Sequence, residues 1–379
     1  MSTQNTSTPK DEPLSPRAKA APEASQARGA AIDGPGDQGQ LPALPPDKPG
    51  DADIAGSAPA THRFAGAPGR RDKPLRFLVV GAGAVGGLIA ARLTGAGYDV
   101  TVLALPRSAS RLREGGLRIA SQDATSVLRP AVVTAAELTP RYDAIVLAVK
   151  SEDLDGAMAD IEPAVKPPAV IIPFLNGMAH VEALTGRFGS AVLGGVLRIA
   201  TQLEADGTIR VLTPQFDVEL GELDGSPSAR VDRLASAFKD AGADVAVPGN
   251  IVDAMWAKWV FIASLGAVTS LMRATVGDIA AAPGGQRFAR TVLTEAAAAA
   301  AACSHPVPAG QLRVTEDALT AARSPATSSL TRDLIAGRRT EVEAVLADLA
   351  ARARTAGTAT PLVDLAVLAL RIHNRQIGS

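Results

Sequence analysis

The chain has 379 residues, enough for two domains with substantial cores, and hydrophobic residues make up 46% of it. Its formal net charge is −1, so it lacks the basic excess of proteins that bind nucleic acid or anionic membranes. The single cysteine, Cys303, excludes a disulfide framework within the chain and suits a reducing cytoplasmic compartment.

Residues 1 to 72 differ in composition from the rest of the chain. They hold 11 of its 27 prolines and a single aromatic residue, Phe64. Such a segment buries too little apolar area to offset the entropy of ordering, so we predict that it is disordered. Its first thirty residues contain no apolar stretch of the kind that marks a secretory signal. Two interpretations stay open: a genuine tail, or residues ahead of a wrongly placed start.

Order is predicted to begin with a strand–helix–strand unit. The run "LRFLVV", residues 75–80, suits a strand that is buried on both faces, and a glycine-rich turn and a helix follow it. Further candidate strands cover 99–104, 131–134, 144–149, 169–175, 190–196 and 243–247. Their alternation with helices predicts an α/β fold with a Rossmann-type doubly wound sheet over residues 73–248.

After Pro248 the pattern changes to helices, which predicts an all-helical domain over residues 249–379. Within it, residues 254–272 form an apolar run whose one charged residue, Lys258, lies between Trp256 and Trp259. The run is nearly long enough to cross a membrane, but a lysine in mid-span is costly. We therefore predict a long buried helix and no membrane partner.

A G-x-G-x-x-G motif follows the first strand and opens a helix, which is the context that a dinucleotide site requires. The predicted pyrophosphate-binding residues are Gly81, Ala82, Gly83, Ala84, Val85 and Gly86. The region after the second strand offers Arg107 and Arg111, with no acid before Glu114. A 2′-phosphate suits such a region better than a ribose diol, so NADP (NADPH) is the expected cofactor. The alternative is that these arginines only form a solvated helix start, above all Arg111.

Two polar residues follow other buried strands of the predicted sheet. Lys150 comes just after "AIVLAV", and Asn176 begins an Asn-Gly turn after "AVIIPFL". In open parallel sheets the carboxyl ends of the strands form the ligand-binding edge, so both residues are candidates for contacting the cofactor. An exposed lysine at a strand end and an ordinary Asn-Gly turn are the structural alternatives.

Lys258 is the candidate catalytic residue. Burial lowers the pKa of a lysine, which makes it a usable proton donor near neutral pH. A lysine that extends from the helix edge to water is the alternative. Farther on, Thr340 and Glu343 have the spacing of a capping box, which would place Glu341 in a first helical turn with no functional role.

These features together resemble the ketopantoate reductase (2-dehydropantoate 2-reductase) family over about residues 74–372. The matching motifs are "GAGAVG", Lys150 after "VLAV", "NGM" at 176–178, "MWAKW" around Lys258, "SSL" at 328–330 and "RRTEVE" around Glu341. The resemblance implies a Rossmann domain followed by a helical domain like that of 6-phosphogluconate dehydrogenase. It also implies NADPH-dependent reduction of a 2-oxo acid in the cytoplasm, with 2-dehydropantoate in pantothenate biosynthesis as the leading substrate. A homodimer is the candidate assembly, and no metal is expected.

Carried over residue by residue, the resemblance gives Lys258 the part of proton donor. It implies cofactor contacts for Lys150, Asn176, Ala200 and Glu341, and substrate contacts for Asn176, Lys258 and Ser329. The family's arginine after the second strand is Leu105 here, and its asparagines at 4, 8 and 18 residues after the lysine are Ile262, Gly266 and Val276. These departures favour one alternative, a related reductase of a less polar keto acid or ketone. A dinucleotide-binding sensor without turnover is an alternative of another class.

Overall fold

The structure, a computed structural model, describes residues 75–122, 124–139 and 141–378. The predicted disordered segment 1–72 lies outside these described residues. In the described ranges the strands are β1 (Arg76–Val80), β2 (Asp99–Leu103), β3 (Leu117–Ala120), β4 (Thr125–Leu128), β5 (Ala131–Val133), β6 (Ala144–Leu147), β7 (Val170–Pro173), β8 (Leu193–Leu203), β9 (Ile209–Glu222) and β10 (Asp244–Ala246).

The helices of the same ranges divide between the two parts of the fold. The first five are α1 (Ala84–Gly95), α2 (Pro106–Gly115), α3 (Leu154–Ile161), α4 (Ala179–Phe188) and α5 (Ala229–Asp240). The rest are α6 (Ile251–Met272), α7 (Val276–Ala281), α8 (Gly285–Ala302), α9 (Ala309–Thr320), α10 (Ser329–Ile335), α11 (Asp348–Thr355) and α12 (Pro361–Gln376), with a π-helical turn, Glu343–Ala347, directly before α11.

The first sheet is parallel, with strand order β5-β2-β1-β6-β7. Strands β6 and β7 are buried along their whole length and β1 nearly so, which explains their continuous apolar sequences. Val80, the last residue of β1, pairs with Leu103 of β2 and with Leu147 of β6, so these strands end at the same level. The glycine-rich turn, Lys150 and Asn176 therefore follow three neighbouring strands at one edge. The predicted Rossmann-type sheet followed by a helical region is confirmed.

A second, mixed sheet has the order β10-β9-β3-β4, and β8 pairs with β9 in antiparallel fashion. The strands expected at 190–196 and 243–247 belong to this sheet, so their assignment to the doubly wound sheet was wrong. Strands β3, β4 and β9 were not predicted. In β9 charged and polar residues interrupt the apolar positions, and Pro214 lies inside the strand, so it lacks the continuous apolar run of a parallel core strand.

The long helix α6 lies in the core of the helical region. Asn250 caps its start by accepting hydrogen bonds from the backbone N–H groups of Val252 and Asp253, and it ends at Arg273 in a left-handed conformation. It is the one helix of the described residues that is long and apolar enough to cross a membrane. Helices α8, α10 and α12 and their neighbours bury 56% of its most apolar stretch. It is therefore a core helix, as predicted.

Strand β8 separates two apolar cores. Leu193 and Leu197 belong to the core of the sheet region, whereas Val196, on the opposite face of the strand, belongs to the core built around α6. A side chain at Gly194 would lie 2.6 Å from Ile251, so this glycine lets α6 start directly against the strand. All described residues belong to one compact unit. The division into two domains at residue 248, between β10 and α6, stays a prediction.

Candidate active site

The glycine-rich turn connects β1 to α1 and leaves open space at one position. A side chain at Gly81 (φ +93°) would lie 2.8 Å from the carbonyl oxygen of Ala148, and one at Gly86 would lie 2.0 Å from that of Gly81. Packing therefore requires both glycines. A side chain at Gly83 would meet no atom within 4 Å. Gly83 also starts α1 without a side-chain cap or an acid in the first turn, so the helix N-terminus fits a dinucleotide pyrophosphate.

The end of β2 leads directly into α2. Leu105, at the start of that helix, is 74% exposed, and Arg107 in the first turn is also exposed. Arg111 is one turn farther on, with its guanidinium beside Gly207 of the β8–β9 turn. Arg107 is thus the first arginine after β2 in the sequence.

The loop after β6 contacts the helical region at several points. Lys150 Nζ lies 4.0 Å from Asp333 of α10, and the backbone N–H of Ser151 donates to Glu341 Oε1 at 3.1 Å. The fold thus brings Lys150 and Glu341, which are 191 positions apart in the sequence, to adjoining positions at the carboxyl edge of the parallel sheet.

The predicted capping box at Thr340 and Glu343 is wrong. The hydroxyl of Thr340 donates to Asn374 of α12, and the carboxylate of Glu343 pairs with Arg371. Glu341 directly precedes the helical residues, and its carbonyl accepts from Val345. Residues of α12 thus bind both side chains that the capping box would have used, and the Glu341 carboxylate binds the backbone N–H of Ser151.

The Asn176-Gly177 turn packs against the π-helical turn. Gly177 has a φ of +80°, and a side chain there would lie 2.2 Å from the carbonyl oxygen of Ala344. Trp259 Nε1 donates to the carbonyl of Val345 at 2.8 Å, so α6 supplies a partner for the widened turn. Such turns occur often at functional sites, and no sequence pattern predicted this one.

Lys258 lies on the face of α6 that is directed to the sheet region. With Met255, Trp259 and Ile262 of the same face it lines a small open cavity, whose other wall consists of Leu175, Gly177 and Gly195. Lys258 is half-buried, and burial lowers its pKa from 10.5 to about 8. The positive charge of Arg198 contributes to this lowering of the pKa, and the negative charge of Glu341 opposes it. At neutral pH Lys258 is still an ammonium group and can donate a proton.

Two residues near Lys258 were missed by sequence reasoning. His180 of α4 is 3% exposed, and neither ring nitrogen has a hydrogen-bond partner within the described structure. Burial, and then the charge of Lys258, lowers the pKa of His180 to about 3, so its ring is neutral. Arg198 of β8 forms an ion pair with Glu219 of β9. Neither residue belongs to a recognisable motif, and only the fold places them beside Lys258.

The three positions that lack the family's asparagines have different surroundings. Ile262 lines the cavity and makes that wall apolar. A side chain at Gly266 would lie 3.0 Å from Leu330, so Leu330 occupies the space of a longer residue there. Val276 starts α7 and has no exposed surface. Of the three departures, Ile262 is therefore the one that changes the surface of the cavity.

The remaining predicted residues are Ser329 and Ala200. Ser329 is exposed at the start of α10, while the neighbouring Ser328 is buried and accepts from the backbone N–H of Thr331 as the helix cap. Ala200 lies at an irregularity in β8, where the pairing with β9 shifts between Ile199 and Thr201. A break of this kind frees backbone groups next to a site, which suits the backbone contact expected of Ala200.

Comparison with known families identifies the protein family of this chain. The family model "Ketopantoate reductase PanE/ApbA" matches residues 77–225, and "Ketopantoate reductase PanE/ApbA C terminal" matches residues 250–374. The chain belongs to the ketopantoate reductase family. The two matches cover well over half of the chain and include the glycine-rich turn, Lys258 and Glu341. The resemblance inferred from the sequence is confirmed.

Individual ketopantoate reductase relatives agree with this assignment. The chain is 31% identical to a Bacillus subtilis (strain 168) protein named uncharacterized oxidoreductase YkpB, over 80% of this chain and 100% of that protein. A crystal structure of 2-dehydropantoate 2-reductase from Methylococcus capsulatus has 28% identity and a TM-score of 0.70, and covers 80% of this chain and 98% of its own. D-mandelate dehydrogenase, solved with NADH and anilino(oxo)acetate, has a TM-score of 0.73 over 80% of this chain and 100% of its own; at 19% identity it shows the fold alone. The chain is an oxidoreductase of this family.

Proposed function

We propose that the protein reduces a 2-oxo acid to a 2-hydroxy acid with NADPH, with 2-dehydropantoate as the leading substrate and Lys258 as the proton donor. The observation that carries the proposal is the place of Lys258. Its half-buried ammonium group lines a cavity beside the Asn176-Gly177 turn, at the same sheet edge as the glycine-rich turn. Reduction of a carbonyl requires a proton for the developing alkoxide, and a lysine whose pKa is about 8 can supply it at neutral pH.

The chain's own residues divide the remaining tasks. Gly81 to Gly86 and the start of α1 would hold the cofactor's phosphates, and Lys150, Asn176, Ala200 and Glu341 would contact the rest of it. When bound, the nicotinamide would supply the hydride for the substrate's carbonyl carbon. The ammonium of Lys258 stabilises the negative charge that develops on the carbonyl oxygen and then donates its proton there. Asn176 and Ser329 would position the substrate.

The preference for NADPH is supported by the end of β2. Arg107 is exposed there. Between the end of β2 and Glu114 the chain has no acidic residue that could bind a ribose diol. We expect NADPH to bind at least about tenfold more tightly than NADH. Fluorescence titration with both cofactors tests this, and Arg107→Ala should weaken NADPH binding while leaving NADH binding nearly unchanged. Equal affinities of the wild-type protein for the two cofactors would exclude the proposed preference.

A less polar keto acid is a second candidate substrate, and Ile262 is the observation that favours it. An isoleucine in the cavity wall, where the family has an asparagine, removes a hydrogen-bond partner for a substrate hydroxyl. Each unpaired buried polar group costs about 1–3 kcal/mol. NADPH oxidation should be assayed with 2-dehydropantoate and with 2-oxo acids that carry apolar side chains. The order of kcat/KM values decides between the candidates, and NADPH binding without turnover of any of them would point to a sensor instead.

The predicted homodimer is part of the same proposal. Light scattering on the purified full chain gives the mass in solution, and a monomeric mass at the concentration of the assay would exclude a dimer as the active form.

A further inference from the structure

Arg198 faces the same side of β8 as the residues that contact α6. Side chains alternate between the two faces of a strand, and in β8 Leu193 and Leu197 point to the core of the sheet region. Gly194 adjoins Ile251 of α6, and Val196 lies in the core around that helix. Arg198 is two residues beyond Val196, so its side chain leaves the strand on the α6 side.

Arg198 and Lys258 lie at similar distances, along their own elements, from the contact between β8 and the start of α6. From the contact between Gly194 and Ile251, Lys258 is seven residues along the helix, or about 10 Å. Arg198 is four residues along the strand, or about 13 Å. Gly195 of β8 and Lys258 of α6 line the same cavity, so α6 still lies beside β8 at Lys258. The effect of the Arg198 charge on the pKa of Lys258 agrees with this proximity.

The guanidinium of Arg198 is held in place but keeps unused donors. Its Nη1 donates to Glu219, which lies opposite Val196 in the register of β8 and β9. Within the described part of the chain this is its one hydrogen bond, and the side chain is 35% exposed. Because a guanidinium carries five N–H donors, Arg198 can bind a carboxylate while it stays paired with Glu219.

We propose that Arg198 binds the carboxylate of the substrate while Lys258 faces the adjacent carbonyl oxygen. This inference rests on the proposed reduction of a 2-oxo acid. In such an acid the carboxylate and the carbonyl are on neighbouring carbon atoms, so the groups that bind them must also be neighbours. Two cations side by side match that pair, and the apolar wall at Ile262 is left for the substrate's side chain.

The test compares a 2-oxo acid with its methyl ester, which keeps the carbonyl and removes the negative charge. In Arg198→Gln we expect the KM of the best 2-oxo acid to rise roughly tenfold to hundredfold, as the loss of a charge-assisted hydrogen bond predicts. The kcat/KM for the ester and the affinity for NADPH should stay within about twofold of wild type. Arg198→Lys, which keeps the charge, should recover part of the KM for the acid.

Arg210→Gln is the matched control. Arg210 lies on the same β8–β9 hairpin and also pairs with a glutamate, Glu204, but it is one of the residues near the hairpin's turn, away from α6. Its kinetics should equal those of wild type. If Arg198→Gln weakens acid and ester equally, or neither, Arg198 is only a partner of Glu219 and the inference is wrong. Wild-type turnover of 2-oxo acids is measured in the same series, so its absence would instead refute the proposed function.

Discussion

Replacing Lys258 should lower activity and raise stability, and the structure gives a magnitude for each. In Lys258→Met the neutral side chain keeps most of the apolar stem, so the wall of the cavity is preserved. With a pKa of about 8, roughly nine-tenths of the lysine carries a proton at pH 7 in the wild-type protein. Loss of a positioned general acid typically lowers kcat by about 10²–10⁴, which is roughly 3–5 kcal/mol in the activation free energy.

The effect on stability has the opposite sign. The pKa of Lys258 falls from 10.5 to about 8 on folding, so its charged form opposes folding by about 3 kcal/mol. Below pH 8 both the folded and the unfolded chain hold the proton. Between pH 8 and 10.5 the unfolded chain binds more protons than the folded one, so wild-type stability rises with pH. Lys258→Met should therefore be the more stable protein at pH 7, by up to about 3 kcal/mol, and this advantage should shrink above pH 8.

The assay pairs steady-state turnover with urea unfolding at pH 7 and pH 9. Lys239→Met removes a charge from the exposed face of α5 and serves as the control, with both quantities close to wild type. The affinity for NADPH should change little, because the phosphates are assigned to Gly81 to Gly86. For wild type, kcat/KM should fall above pH 8 as Lys258 loses its proton. Turnover of Lys258→Met within threefold of wild type would refute the proposed mechanism.

Three further predictions concern residues around this site. The pKa of His180 is about 3 in the folded protein and about 6.5 in the unfolded chain. The free energy of unfolding of wild type should therefore fall by about 2 kcal/mol between pH 6.5 and pH 5, whereas that of His180→Gln should not. The same pH dependence of the urea midpoints in both proteins would contradict this. Gly83→Ala should weaken NADPH binding without lowering the thermal midpoint. Gly86→Ala should cost about 1–3 kcal/mol of stability, because the added methyl group would lie 2.0 Å from the carbonyl oxygen of Gly81. Equal losses of stability in the two variants would show that the space at Gly83 is not free. Trp259→Phe removes the hydrogen-bond donor to the buried carbonyl of Val345. It should therefore lower the free energy of unfolding by about 1–3 kcal/mol. An unchanged urea midpoint would mean that the π-helical turn does not need this hydrogen bond.

Local patterns were sufficient for much of the fold and for part of the site. Continuous apolar runs marked the strands that lie inside the parallel sheet, because such strands are buried on both faces. The residues that follow those runs, Lys150 and Asn176, then had to meet at one edge. Strands β4 and β9 of the second sheet escaped prediction because they are only partly buried, and their polar positions hide the apolar ones.

The sequence by itself determined the nucleotide-type turn, the long core helix and the presence of one lysine within it, since each follows from a short stretch of residues. Only the tertiary structure decided which distant groups lie together. It brings the Glu341 carboxylate to the backbone of Ser151, packs Gly177 against the π-helical turn, and places Arg198 on the α6 side of β8. The physical reason is that periodicity reports how a segment is buried, whereas the partners of its polar groups depend on how the apolar faces of separate elements pack.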